Sequence, residues 1–238
     1  MKYSKEQQKA INTIDGQVCI ISVAGSGKTS VIVARANNII KSGVRPYRIL
    51  VLTFSKAAAV QMADRYKMQY GSDGIRFSTI HSLCYSVLAR AYNLKAEDIL
   101  SEAGRLKFFT EFHRQLLYKR VSGVPDDFDE YYRKCNEYIN SMAVGTADIQ
   151  DSKSSSKAYL EITFSQYKEF KKNNKKLDFD DMILYCHKCL SSNKKELEYW
   201  QGIFDYIMVD EFQDTDDSQI ESLLRIAQVL DYNLFLVG

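Results

Sequence analysis

A chain of 238 residues, 45% hydrophobic and 26% charged with only 2 Pro and 11 Gly, can bury a sizeable core and excludes collagen-like or long disordered architectures. Its net charge of +2 identifies no partner, because a balanced total can still hold a local basic track. A polar start at residues 1–10, no apolar run near the roughly 20 residues of a membrane helix and an odd count of five scattered Cys point to a cytoplasmic protein with reduced thiols and no membrane association.

In chain order, residues 4–14 read as a helix with Ser4 as N-cap and Gly16 just past its end. Residues 18–23 are a short, β-branched apolar run, the pattern of a buried parallel strand. A Gly-rich stretch, residues 24–28, leads into a helix over 29–42 that Gly43 ends. Residues 49–53 predict a second buried strand and 56–68 an Ala-rich helix. Strands alternating with helices of this length build βαβ units and a parallel sheet. From about Ala96 to Lys176 helical spacing dominates, with Phe109, Phe112 and Leu116 on one stripe and Tyr132, Cys135, Ile139 and Met142 on another. The Ser-rich residues 152–157 read as a loop. The α/β rhythm resumes with a strand at 206–209, a helix near 218–230 and a strand at 233–237. The expected fold is an α/β parallel sheet with helices on both faces, interrupted by an all-helical inserted domain. The α/β domain takes residues 1–95 and 177–238, and the insertion takes 96–176. Ligands of open α/β sheets bind beyond the carboxyl ends of the strands. A chain that stops at Gly238, at such an end, is expected to be a fragment.

Ala24, Gly25, Ser26, Gly27, Lys28 and Thr29 sit between a strand and a helix, the context of a phosphate-binding loop. The glycines let backbone N–H groups turn toward phosphate oxygens, and the helix that follows presents its positive end to the same anions. Lys28 is placed to reach the β- and γ-phosphates of ATP and Thr29 to ligate Mg²⁺, with Ser30 in the same first turn. One departure is plain: the first Gly of the general G-x-x-x-x-G-K-[ST] pattern falls on Ser22. The bland alternative is an ordinary Gly-rich turn. Asp210 and Glu211 end the strand at 206–209, where Asp210 can hold Mg²⁺ and Glu211 can orient and deprotonate the attacking water. By themselves two adjacent acids could equally cap a helix.

The run Asp210, Glu211, Phe212, Gln213, Asp214, Thr215 resembles the D-E-x-Q-D-T signature of UvrD/Rep/PcrA-type superfamily-one helicases. Four other segments resemble motifs of that family in the right order: residues 6–11 its Q motif, 53–58 its T-F-[ST]-[NK]-x-A-A motif, 79–82 its T-x-H-[SG] motif and 177–182 its D-F-D-D-[LM] motif. Val237 and Gly238 resemble the start of its V-G-D-x-x-Q motif. The resemblance runs from Glu6 to Gly238 outside the helical region. It implies the first of two RecA-like motor domains that clamp ATP between them, single-stranded DNA and duplex junctions as partners, 3′ to 5′ movement and a role in DNA repair. It also implies a second motor domain of the same protein, carrying the arginine fingers and missing from this chain, which is expected to be monomeric and nearly inactive alone.

The resemblance assigns Gln7 to adenine, although Ser4 and Gln7 also have the spacing of a helix capping box. It sets Phe54 against a DNA base, where the local alternative is a core position, and brings Thr53, Ser55 and Lys56 to backbone phosphates. His81, supported by Thr79, takes a DNA-side or interdomain coupling role, and Gln213 senses the γ-phosphate or its water. Asp178, Asp180 and Asp181 could suggest a metal cluster, but helix capping is preferred. Cys186, His187 and Cys189 lack the second ligand pair of a zinc site. Lys168, Lys171, Lys172, Lys175 and Lys176 read as a solvated face that could also meet DNA. Three rivals stand beside the helicase motor. In one, the chain serves only as a nucleotide- and DNA-docking module. It could belong to a RecB/AddA-type helicase-nuclease, which carries a larger helical insertion. A P-loop kinase of small substrates leaves Gln7, residues 53–58 and residues 212–215 unexplained.

Overall fold

The computed structural model describes residues 3–22, 26–71, 73–144, 158–212 and 233–238. They divide into two compact units, Met1–Asn93 with Ile183–Gly238, and Leu94–Met182.

The first unit is built on a parallel sheet. Its elements are α1 (Lys5–Asn12), β1 (Val18–Ile20), α2 (Lys28–Lys41), β2 (Ile49–Thr53), α3 (Lys56–Tyr70), β3 (Arg76–Thr79), α4 (Ile80–Tyr92), α9 (Lys194–Gln201), β4 (Tyr206–Val209) and β5 (Asn233–Val237). The strand order is β1-β5-β4-β2-β3, every pairing parallel, so the carboxyl ends of all five strands open on one edge. Ile32, Val33, Ile39, Ile49, Val51, Met208 and Phe235 form the core against this sheet. The central strands β2 and β4 are buried at every position, as their unbroken apolar runs require. Local signals set the helix starts at the functional edge. Ser55 caps α3 by accepting from the Ala58 N–H, and Thr79 caps α4 by accepting from the Ser82 N–H.

Two strands differ from expectation. The first is shorter than 18–23 and is not buried, with Cys19 exposed and Ile21 90% exposed. Among the described residues β1 lies at the sheet edge and pairs only with β5. β3 carries Ser78 and Thr79 in a half-buried edge position, so it lacks the apolar run that announces a strand. The expected loop at 152–157 and helix near 218–230 lie outside the described residues.

The second unit holds α5 (Glu102–Tyr118), α6 (Phe128–Val144), α7 (Ala158–Asn173) and the start of α8 (Phe179–Ser192). Phe109, Leu116, Cys135 and Ile139 are buried as their spacing predicts, joined by Tyr131, Tyr159 and Tyr167, while Met142 is exposed. Asp178 and Asp181 cap α8 reciprocally: the Asp178 carboxylate accepts the Asp181 N–H at 2.9 Å and the Asp181 carboxylate the Asp178 N–H at 3.2 Å. Lys171 is not a solvated residue. Its ammonium donates to both carboxylates, at 2.7 and 2.6 Å, beside the Tyr167 hydroxyl, which also donates to Asp178. Burial pushes Asp178 up, but Lys171 and the converging donors outweigh it and hold this carboxyl below its ordinary value. Among the described residues no His/Cys/Asp/Glu group suits a metal ion and no helix is long and apolar enough to cross a membrane.

Candidate nucleotide site and its rim

The strand order places β1 and β4 on either side of β5, so their carboxyl ends face a common space. β1 leads toward the Gly-rich loop, of which Ala24 and Gly25 lie outside the described residues. Gly27 adopts φ +84, a left-handed conformation that a residue with Cβ resists, and it is the N-cap of α2. Among the described residues no side chain caps that helix start, which leaves its first N–H groups open to an anion. Lys28 is the first residue of α2, one earlier than expected, with Thr29 and the buried Ser30 after it. The Ser at the first-Gly position acts across the loop: the Ser26 hydroxyl donates to the Ser22 hydroxyl at 3.0 Å, and the Ser22 N–H extends the β1–β5 ladder to the Gly238 carbonyl at 2.6 Å.

Opposite stand the acids at the end of β4. The Asp210 N–H bonds the Leu52 carbonyl at 2.9 Å, which fixes the strand end against β2. The Asp210 carboxylate accepts from the Thr29 hydroxyl at 3.4 Å and from the Glu211 N–H at 3.1 Å. Burial, then the neighbouring Glu211 charge, raises the Asp210 carboxyl to about 6. Glu211 turns out of the strand at φ +54, and its carboxylate lies 3.2 Å from the Lys28 ammonium. A hydroxyl and a carboxylate at this spacing, the carboxylate buried and beside a second acid, suit a divalent cation, whose charge would relieve both acids. Gln213 lies outside the described residues.

Gln7 forms the capping box that its spacing with Ser4 allows. Its Oε1 accepts the Ser4 N–H at 2.8 Å while the Ser4 hydroxyl accepts the Gln7 N–H at 3.2 Å, a complete capping box. Its Nε2 donates to the Ser26 carbonyl at 2.8 Å, bringing α1 onto the loop. These bonds fix the orientation of the amide and leave one N–H and one lone pair for a ligand. Beside it a cavity of about 620 Å³ is lined by Gln7, Ala10, Ile20, Ser26, Lys28 and Val237, among others.

The motifs at 53–58 and 79–82 line the same strand-end edge. Thr53 and Thr79 are register partners at the ends of β2 and β3. Phe54 is 59% exposed, which removes the core alternative, and Ser55 and Lys56 are exposed beside it. Thr53 is buried with its hydroxyl donating to the Ser55 carbonyl at 2.9 Å, so it shapes this turn from beneath. The Thr79 and Ser82 hydroxyls bond at 2.9 Å, and His81 is half-buried in the first turn of α4.

A Gly-rich loop at the head of α2, an acid pair at the end of β4 with one strand between β4 and β1, and an all-parallel sheet define a RecA-like P-loop fold. Residues 3–238 match the family described as the UvrD/REP helicase N-terminal domain, and the chain belongs to that family. It is 30% identical to the ATP-dependent DNA helicase PcrA of Bacillus subtilis, over 98% of this chain and 32% of that protein. It is 29% identical to PcrA of Staphylococcus aureus, over 98% of this chain and 32% of the relative. It is also 29% identical to a Mycoplasma capricolum protein named Probable DNA helicase II homolog, over 98% of this chain and 33% of the relative. The chain thus spans about a third of the length of these relatives.

Proposed function

We propose that this chain is the first motor domain of an ATP-driven DNA helicase, that it binds MgATP and single-stranded DNA, and that residues 96–176 form a helical domain inserted into motor segments 1–95 and 177–238. The convergence of Lys28, Thr29, Asp210 and Glu211 carries this reading: Thr29 and Asp210 meet although 181 residues apart in sequence.

In this reading the triphosphate lies on the N–H groups at the head of α2. Lys28 leaves Glu211 to bind the β- and γ-phosphates and neutralises the charge that develops on the transferred group. Thr29 and Asp210 would hold Mg²⁺, which supplies further neutralisation of phosphate charge when bound. Glu211, released by Lys28, orients a water and accepts its proton during in-line attack on the γ-phosphate. Gln7 offers its remaining donor and acceptor to adenine. Gln213 follows the acid pair as the sensor of the γ-phosphate. Phe54 stacks on a base, Ser55 and Lys56 contact backbone phosphates, and Thr79 with His81 couples this rim to the partner motor domain. That second domain, in the same longer protein, supplies the arginines that complete catalysis; their absence costs about 10³ to 10⁵ in rate.

Phosphate release from ATP by the 238-residue chain, with and without single-stranded DNA, tests the division of labour. The expected result is saturable ATP binding with almost no release in either case. DNA-stimulated turnover that tracks the purified chain would mean that it completes its own site.

A further inference from the structure

We propose that Arg35 is a positioning residue for nucleotide recognition, acting through α1 and Gln7; this rests on the reading of Gln7 as the adenine contact. α1 is only eight residues long, fully buries Ile11 and packs Ala10 half-buried against the core, a small apolar contact for a helix that would be marginal in isolation. Its carboxyl-terminal carbonyls are held instead by polar side chains of α2. The Arg35 guanidinium is 1% exposed, donates to the Ala10 carbonyl from Nη1 and to the Ile14 carbonyl from Nη2, each at 2.8 Å, and lies 4.2 Å from the centre of the Phe235 ring. The Asn38 amide adds a bond to the Ile11 carbonyl at 3.1 Å. The Ala10 and Ile11 carbonyls are among the orphan acceptors that a helix end must satisfy, and Ile14 lies two residues past that end. At the other end of the same helix, Gln7 bonds Ser26 in the phosphate loop.

Arg35 lies seven residues after Lys28, two turns along the helix whose head receives the phosphates, so the two sit on one face. The helix that receives the phosphates therefore also sets the height and tilt of the helix that reads the base. The planar guanidinium is what allows this: its fork spans two carbonyls at once, which a lysine ammonium on a flexible stem does not reproduce. Burial lowers Arg35 to about 10, still charged at neutral pH.

The test compares MgATP and MgGTP affinities of the whole chain for wild type, Arg35→Lys, Gln7→Ala and the double variant. Arg35→Lys is expected to weaken ATP by about threefold to tenfold, the effect of one or two misplaced hydrogen bonds, and to leave GTP unchanged. The double variant is expected to match the ATP-to-GTP ratio of Gln7→Ala, because Arg35 acts through Gln7. A wild-type ratio in Arg35→Lys, or an equal fall for both nucleotides, overturns the positioning role while leaving the Gln7 reading intact. An unchanged ratio in Gln7→Ala overturns both. Should Arg35→Lys fail to fold, Asn38→Ala removes one carbonyl bond from the same clamp and must lower the ratio in the same direction; an unchanged ratio there refutes the proposal.

Discussion

The Lys28 ammonium lies 3.2 Å from the Glu211 carboxylate, so the lysine proposed to bind phosphate and the acid proposed to activate water form an ion pair. In the proposed function, nucleotide phosphates displace Glu211 from Lys28 before either acts. Glu211 is 38% exposed, which limits the pair to about 1 kcal/mol. Glu211→Gln is therefore expected to tighten MgATP binding by up to about fivefold in an equilibrium titration. The same variant in a longer, catalytically complete protein loses hydrolysis.

The raised Asp210 carboxyl predicts a trade between stability and function. With its folded value at about 6 and an ordinary value of 3.8, the folded chain keeps a proton that the unfolded chain has lost between these limits. Stability contributed by this group is therefore present at low pH and lost as pH rises through about 6. Asp210→Asn removes that loss and is expected to raise stability at pH 7.5 by roughly 1–3 kcal/mol. The gain should vanish near pH 4, as read by thermal melts across pH, and Mg²⁺-dependent nucleotide affinity should fall.

Phe54 separates DNA binding from folding. An aromatic ring 59% exposed contributes little to the core, whereas stacking on a base contributes about 1–3 kcal/mol. Phe54→Ala is expected to weaken single-stranded DNA by that amount in fluorescence anisotropy, with ATP affinity and melting temperature unchanged. Equal DNA affinity in the variant would remove Phe54 from the interface.

Lys171→Met tests the buried ion cluster of the helical unit. The substitution leaves Asp178 and Asp181 facing each other without their shared cation, where both are at most one-quarter exposed. Removing one partner of a buried pair costs about 3–5 kcal/mol. Chemical denaturation should show a loss of that order, and neutralising the exposed Lys168 or Lys172 should show none.

The α/β rhythm, the central strands and the paired stripes of the helical unit were legible because each follows from local periodicity. β3 was not, since an edge strand with Ser78 and Thr79 needs little apolar sequence, and β1 proved to be a shorter, partly exposed edge strand. Lys28, Thr29, Asp210 and Glu211 were readable from residue type and spacing, and the fold brings them together. Lys171 and Arg35 were not: an isolated cation in a helix carries no sign of which carboxylate or carbonyl it will meet. Ser22 had a signal, a hydroxyl where the loop pattern has Gly, but its bond to Ser26 depends on how the loop closes.

The most direct test is an equilibrium titration of the 238-residue chain with MgATP, wild type beside Lys28→Ala. Saturable binding that needs Mg²⁺ and weakens by about tenfold or more in the variant, as loss of a charge-assisted phosphate contact requires, is the predicted result. Binding that is absent in wild type, or indifferent to Lys28, would contradict the nucleotide site.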